Sequence, residues 1–297
     1  SANKKTLEGM IYSGAFDSFG LPRATYLSPD KDGITFLELL LKWGSRFQES
    51  KLSSHASLFG DSSDGEIPEP SIPQVEPWGN LEQLKFEREV IGFYISGHPL
   101  DNFRIEMETF CKNNLVELQN MEKMLNKEFF FGGIISSANH RISKTGKPFG
   151  NFTLEDYYDS FEFVLFGSDY DRHKILMNPG YFVQVKGKVQ ERYNQSELVE
   201  FKITSLMHLS EVRDKFLKSI TITIPLAEIS DILIEKLGVI VNENTKKRQG
   251  TCAVKFQVVE KDISVDMPAK KVKINPDNSF LEAIKNIHGV SLKINQA

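Results

Sequence analysis

"EFFFGGIISSANHRISKTGKPFGNFTLEDYYDSFEFVLF", residues 128–166, contains three runs whose side chains repeat with a period of two. Successive side chains of an extended chain point to opposite faces. Phe161, Phe163 and Leu165 therefore share one face, and Glu162, Val164 and Phe166 the other. The alternation assigns Phe152, Phe161 and Phe163 to a core. Turn signals separate the runs at Lys144-Thr145-Gly146 and Tyr158-Asp159-Ser160, and Gly132-Gly133 kinks the first of them. Downstream, "SDYDRHKILM" (168–177) has helical character, while "GYFVQVKGKVQERYN" (180–194) and "ELVEFKITSL" (197–206) alternate again.

The order strand-strand-strand-helix-strand-strand over residues 127–210 predicts an OB-fold, a five-stranded Greek-key barrel. Its first loop, within "NHRISKTGKPFGNF" (139–152), carries Arg141, Lys144 and Lys147 and no acid, with Phe149 two residues after Lys147. The fourth strand adds Lys186, Lys188 and Arg192, and Tyr193 follows. Cations so spaced can track a phosphate backbone, and ring faces can stack bases of any identity. These eight residues are the expected DNA-binding set. The competing reading is that the charges solvate an outer wall and the rings fill the barrel.

Around this segment the chain divides by composition. Residues 1–50 read as helices: Leu7, Met10, Ile11 and Gly14 keep helical spacing, and Phe36, Leu39, Leu40, Trp43 and Phe47 mark a further amphipathic helix. Between them "GAFDSFGLPRA" (14–24) is a glycine-bracketed turn with Pro22 at the start of a new helix. It reads either as a helix-hairpin-helix turn offering a phosphate contact at Gly14, Gly20 and Arg23, or as a generic corner between helices. Residues 51–80 form an acidic, proline-rich linker, and "SLFG" inside it is a tether onto the neighbouring domain or a short motif for a partner's pocket. Asn80 and Gln83 are spaced as a capping box, and the helix they open, in the connector 81–126, is expected to stop at Gly97 with Pro99 barring continuation. Residues 211–297 predict a small α+β domain of βαββαβ order, with the helix "SFLEAIKNIHG" (279–289) ended by Gly289.

The chain has 297 residues, 40% hydrophobic and 26% charged, which suits more than one globular core. A net charge of −4 excludes an all-over basic coat but leaves room for a local basic groove. Cys111 and Cys252 have no metal-ligand spacing and would stay reduced inside a cell. No apolar run reaches the ~18 residues of a membrane span, and the start Ser1-Ala2-Asn3-Lys4-Lys5 reads as a cloning scar or a cut inside a longer polypeptide. His98 lacks a local nucleophile or carboxylate pair, and Glu155, Asp156 and Asp159 suit a turn better than a metal. No catalytic or metal residue is assigned.

Three stretches carry a resemblance to a known family. "LEGMIYSGAFDSFGLPRATYLS" (7–28), "FEREVIGFYISGHPLDNF" (86–103) and "GGIISSANHRISKTGKPFGNFTLEDYYDSFEFVLF" (132–166) resemble the C-terminal region of the bacterial replicative C-family polymerases, the DNA polymerase III alpha subunits. The second is the most specific, matching the pattern E-x-x-x-L-G-F/L-Y-L-S/T-G-H-P-L/I. The resemblance implies a cytoplasmic DNA-directed DNA polymerase, a nucleotidyltransferase, whose Mg2+-binding palm aspartates lie outside this chain. The chain would then be non-catalytic and hold no cofactor itself. It further implies single-stranded template on the OB-fold, primer-template duplex at the helix-hairpin-helix, and a sliding-clamp (beta) motif in the linker. The matching positions of that motif are His55, Leu58 and Phe59, with His55 standing where the pattern has glutamine. The terminal domain corresponds in position to one that binds the clamp loader's tau subunit. The alternatives are a stand-alone OB-fold single-strand binder and an anticodon-binding OB module.

Overall fold

The structure is a computed structural model that describes residues 3–56, 68–192, 195–247 and 250–296. The chain forms two compact units, Ser1–Pro99 and Leu100–Ala297.

The first unit is helical: α1 (Lys4–Tyr12), α2 (Arg23–Leu27), α3 (Phe36–Ala56) and α4 (Asn80–Ile91). Ile11, Tyr26, Phe36 and Leu37 form its core. Helix α3 runs on past the expected linker boundary at residue 51. Thr35 opens it, because the Glu38 carboxylate accepts from the Thr35 N–H at 2.9 Å and Thr35 Oγ1 accepts from the Glu38 N–H at 3.3 Å. The box expected at Asn80 and Gln83 does not form: Gly79 occupies the cap position without a side-chain bond. Helix α4 also stops earlier than Gly97. Gly92 takes φ +95°, which a residue without Cβ adopts at little cost, and its N–H donates to the Arg88 carbonyl at 2.8 Å.

The stretch from Gly92 to Pro99 instead closes over a buried ion pair. Glu87 is fully buried and Arg23 nearly so. Arg23 Nη1 donates to Glu87 at 2.7 Å and to the Tyr12 carbonyl at 3.2 Å. Its Nε and Nη2 donate to Asp17 at 2.8 and 2.7 Å, and Nη2 also reaches Ser96 Oγ at 3.3 Å. Glu87 accepts in addition from the N–H groups of Ile95 and Ser96 at 2.8 and 2.9 Å and from the Ser96 hydroxyl. All five guanidinium N–H groups are thus engaged. Burial alone would raise the Glu87 pKa, but the bonds from Ser96, Arg23 and Ile95 outweigh it and hold it at about 2.

The second unit begins with α5 (Arg104–Phe110), followed by a 3-10 segment (Leu115–Met124). A five-stranded sheet comes next: β1 (Glu128–Ile142), β2 (Pro148–Glu155), β3 (Ser160–Phe166), then α6 (Gly167–His173), β4 (Phe182–Arg192) and β5 (Gln195–His208). Its order is β3-β2-β1-β4-β5, antiparallel throughout. The expected closed barrel is not found, since among the described residues no ladder joins the edge strands β3 and β5. Rings span that gap instead: Phe163 and Phe201 lie 5.5 Å apart, with Phe131 5.5 Å from Phe201 and Phe152 5.4 Å from Phe163. The 3-10 segment packs against both edge strands, placing Leu115 and Leu118 in the same core. Phe152 and Phe163 are buried as their alternation predicts, and Phe161 is partly buried against them. The glycine pair is forced by packing: a Cβ on Gly133 would sit 2.5 Å from the Glu155 carbonyl oxygen.

The terminal domain follows the expected order: α7 (Leu209–Phe216) leads into β6 (Leu217–Pro225), α8 (Asp231–Lys247), β7 (Cys252–Glu260), β8 (Ile263–Ile274), α9 (Asn278–Lys285) and β9 (Ser291–Gln296). The sheet order is β8-β7-β6-β9, with β6 and β7 parallel. Helix α9 ends at Lys285, with Asn286 as its cap, and Gly289 lies in the turn beyond at φ +76°. Ile105 and Phe110 of α5 belong to the core of this domain, while the Phe110 carbonyl accepts from Gln184 of β4 at 2.9 Å. Arg213 of α7 reaches the buried Glu106 of α5 at 2.6 Å, in ion-pair contact but without hydrogen-bond alignment. Helix α5 therefore joins the OB-fold sheet and the terminal domain into one unit. Among the described residues no helix is long and apolar enough to cross a membrane.

Replacing Arg23 with Met leaves Glu87 buried and uncompensated, and should cost about 3–5 kcal/mol in the first unit. Both tryptophans, Trp43 and Trp78, lie there, so denaturant unfolding followed by tryptophan fluorescence reads that unit alone. Because the Glu87 pKa is lowered from 4.5 to about 2, its stabilisation is complete above about pH 4.5 and disappears as the pH falls toward 2. The same signal should record that acid loss in the wild type. In the second unit, Phe163→Ala should cost about 3–5 kcal/mol by circular-dichroism melting, and the exposed Phe166→Ala less than about 1 kcal/mol.

Candidate nucleic-acid interface

The β1–β2–β3 part of the sheet has one face in the core and one outside. Register places residues in transverse rows on the outer face. Arg141 of β1 pairs with Phe149 of β2, which pairs with Phe166 of β3. Asn139, Asn151 and Val164 form the next row, and Ser137, Thr153 and Glu162 the one after. The Phe149 and Phe166 rings stack at 5.5 Å with an interplanar angle of 17°, and Phe166 is 63% exposed. The pair forms a flat apolar step beside Arg141. The β1–β2 turn sits at the same end. Gly146 takes φ +76° there, and the Ser143 N–H donates to the Lys147 carbonyl at 2.8 Å, leaving the Lys144 and Lys147 side chains exposed.

Charge grades along this face. Arg141, Lys144 and Lys147 are all exposed, and among the described residues none is in an ion pair. Glu162 marks the opposite end and is held by the Asn151 amide. Positive charge is therefore concentrated at the turn end, where the cations adjoin the stacked rings. Phe166 was not in the expected set, although strand alternation already put it on the outer face beside Val164.

The fourth-strand cations are elsewhere. Lys186 and Lys188 pair with Phe130 and Glu128, at the start of β1, whereas Arg141 lies at its end. Lys186 is bound to Glu128 at 2.9 Å, with its ammonium 5.1 Å from the Phe130 ring centre. Arg192 is exposed at the end of β4. The structure thus separates the expected set into two groups, because antiparallel pairing runs β4 back along the first half of β1. Tyr193 lies outside the described residues.

The hairpin residues have other occupations. The N–H groups of Gly14 and Gly20 donate to Ile11 and Asp17 carbonyls at 3.0 and 3.1 Å. A Cβ on Gly14 would run into the Arg23 guanidinium, itself fully engaged by Asp17, Glu87, Ser96 and Tyr12. Arg23 is left with no donor for a phosphate, and the structure makes this turn an internal clasp. Of the linker motif, Leu58 and Phe59 lie outside the described residues, and His55 falls in the last turn of α3. Glu155, Asp156 and Asp159 form a turn: Asp156 accepts from the N–H groups of Tyr158 and Asp159 at 2.8 Å and from that of Leu115 at 2.7 Å. No cluster of potential metal ligands occurs among the described residues.

Known proteins agree with this architecture. Residues 131–209 match the family of OB-fold nucleic acid binding domains, and residues 220–295 match the C-terminal domain of the DNA polymerase III alpha subunit. The chain is 29% identical over 220 residues to the DNA polymerase III subunit alpha of Treponema pallidum, covering 74% of this chain and 18% of that protein. It is 24% identical over 290 residues to the Vibrio cholerae subunit, covering 97% of this chain and 24% of the relative. With the Saccharopolyspora erythraea subunit it shares 30% identity over 199 residues, 65% of this chain and 16% of the relative. The chain spans less than a quarter of the length of each. An OB-fold sheet followed by a matching terminal domain, within similarity that reaches nearly the whole chain, relates this protein to the C-terminal region of the bacterial DNA polymerase III alpha subunits.

Proposed function

We propose that this chain is a non-catalytic, DNA-binding region of a replicative polymerase, and that it holds single-stranded template on the outer face of β1–β2–β3. The observation that carries the reading is the adjacency of Arg141, Lys144 and Lys147 to the Phe149–Phe166 stack. Phosphates would meet the cations of the turn, and bases would lie on the rings. Neither contact selects a sequence, as a template-holding surface requires. Nucleotidyl transfer, with its Mg2+ ions, would belong to parts of the polymerase outside these residues. The segment from His55 to Phe59 would dock Leu58 and Phe59 in an apolar pocket of the sliding clamp, and the terminal domain would meet the clamp loader's tau subunit. Such tethers raise the effective concentration of polymerase at the primer end, so weak contacts sum to processivity. The place of action would be the bacterial cytoplasm.

Binding of a short single-stranded oligonucleotide, followed by fluorescence anisotropy at two salt concentrations, tests the template face. Lys144→Ala with Lys147→Ala should flatten the log–log salt slope by about 1–1.5, at about 0.7 for each phosphate no longer neutralised. Phe149→Ala with Phe166→Ala should weaken binding by about 1–3 kcal/mol per unstacked base at unchanged slope. Affinity and slope equal to wild type in both variants would remove this face from consideration. For the clamp, Leu58→Ala with Phe59→Ala should abolish retention of the chain on immobilised clamp, and undiminished retention would withdraw that assignment.

A further inference from the structure

A basic cleft lies at the other end of β1, where the OB-fold sheet meets the terminal domain. It has a volume of about 430 Å³ and is lined by Lys112, Lys186 and Lys215 together with Phe130, Phe216 and Gln184, with no carboxylate in its wall. Five elements build it, β5 contributing Ser205 and Met207. Lys112 follows α5, Phe130 lies on β1, Gln184 and Lys186 on β4, and Lys215 and Phe216 close α7. The buried Gln184 amide donates to the Phe110 carbonyl at 2.9 Å and fixes the floor. Two of the ammonium groups stand over rings: Lys186 is 5.1 Å from the centre of Phe130, and Lys215 is 5.6 Å from that of Phe216. Lys186 is paired with Glu128 at the rim, while Lys112 and Lys215 are exposed and make no ion pair among the described residues.

Two unpaired ammonium groups, Lys112 and Lys215, beside the Glu128-paired Lys186 leave the concavity with a positive potential that favours an anion there. The two partly buried rings narrow the choice of anion. A nucleotide brings both a phosphate to draw an ammonium group off its ring and a flat base to take that group's place on Phe130 or Phe216. An acidic peptide would meet the lysines and leave the rings unused. The volume falls within the ~300–1,000 Å³ typical of clefts that enclose a small ligand.

We propose that this cleft is a second phosphate-and-base subsite, which takes nucleotides of a single strand beyond those held on the β1–β2–β3 face. The proposal rests on the reading of that face as a single-strand site, and it assigns Lys112 and Lys215 to DNA contact for the first time. A single strand must then be long enough to run from one end of β1 to the other before the cleft contributes.

Anisotropy titrations of the full chain with oligothymidylates of about six and about twenty nucleotides, lengths within and beyond one OB-fold site of about 4–16 nucleotides, provide the test. With Lys112→Ala and Lys215→Ala together, the long strand should bind several-fold more weakly with a salt slope flatter by about 1–1.5, again from about 0.7 for each phosphate left without its cation. The short strand should bind as to wild type. An unchanged slope for the long strand overturns the proposal while leaving the outer face intact. Loss of short-strand binding to wild type overturns the face and this subsite together. Competition by poly-glutamate as effective, charge for charge, as by the long strand would show an acidic-protein trough and would also overturn it.

Discussion

The outer face depends on rings meeting across an unladdered seam. Strands β3 and β5 are the two edges of the sheet, and among the described residues no ladder draws them together. Phe163 from one edge and Phe201 from the other approach to 5.5 Å, and Phe131 and Phe152 complete the contact from the strands between. Dispersion and apolar burial thus supply the curvature that a closed barrel would take from its ladder. With the sheet curled in this way, one face of β2 and β3 is wholly committed to core. The other is free to present Phe149, Phe166 and the turn cations together.

A comparable constraint organises the first unit. Arg23 and Glu87 lie far apart in the chain and are mutually buried, and every donor of the guanidinium has an acceptor. Isolated, either charge would be untenable in that position. Together with Asp17 and Ser96 they clasp the glycine-rich turn after α1 to the segment after α4. Arg23, Glu87 and Ser96 fall within two of the stretches that carry the resemblance, and in this chain they bind one another. Their chemistry is structural, and His98 and Pro99 follow directly on the segment that the clasp fixes.

In the second unit, function and packing divide the cations. Those of the β1–β2 turn stand beside stacked rings. Lys186 and Lys188 of β4 face the start of β1, and Lys186, with Lys112 and Lys215, lines a separate cleft. Helix α5 makes that cleft by placing its C-terminal end against β4 while its apolar side enters the terminal core. The OB-fold and terminal domain are therefore a single unit with two basic, ring-bearing surfaces.

What local chemistry governs was legible in the residues. Period-two alternation assigned Phe152, Phe161 and Phe163 inward and Phe166 outward, and the βαββαβ order of the terminal domain came from alternation and helical spacing in the same way. Capping was less secure, since Thr35–Glu38 and Asn80–Gln83 share one spacing and only the first closes a box. Gly92 and Gly97 are likewise both plausible stops, until Glu87 accepts the Ile95 and Ser96 N–H groups and decides which bends the chain. Arg23 reads as a phosphate ligand from its neighbours, and only a carboxylate remote in sequence shows it to be an internal partner. By itself the sequence determined which side chains alternate, where cations cluster and which family the chain resembles, because those properties depend on near neighbours. Tertiary structure alone decided that the sheet stays open, that the cations form two groups, and that Lys112 and Lys215 share a cleft, because each depends on contacts between residues the chain holds far apart.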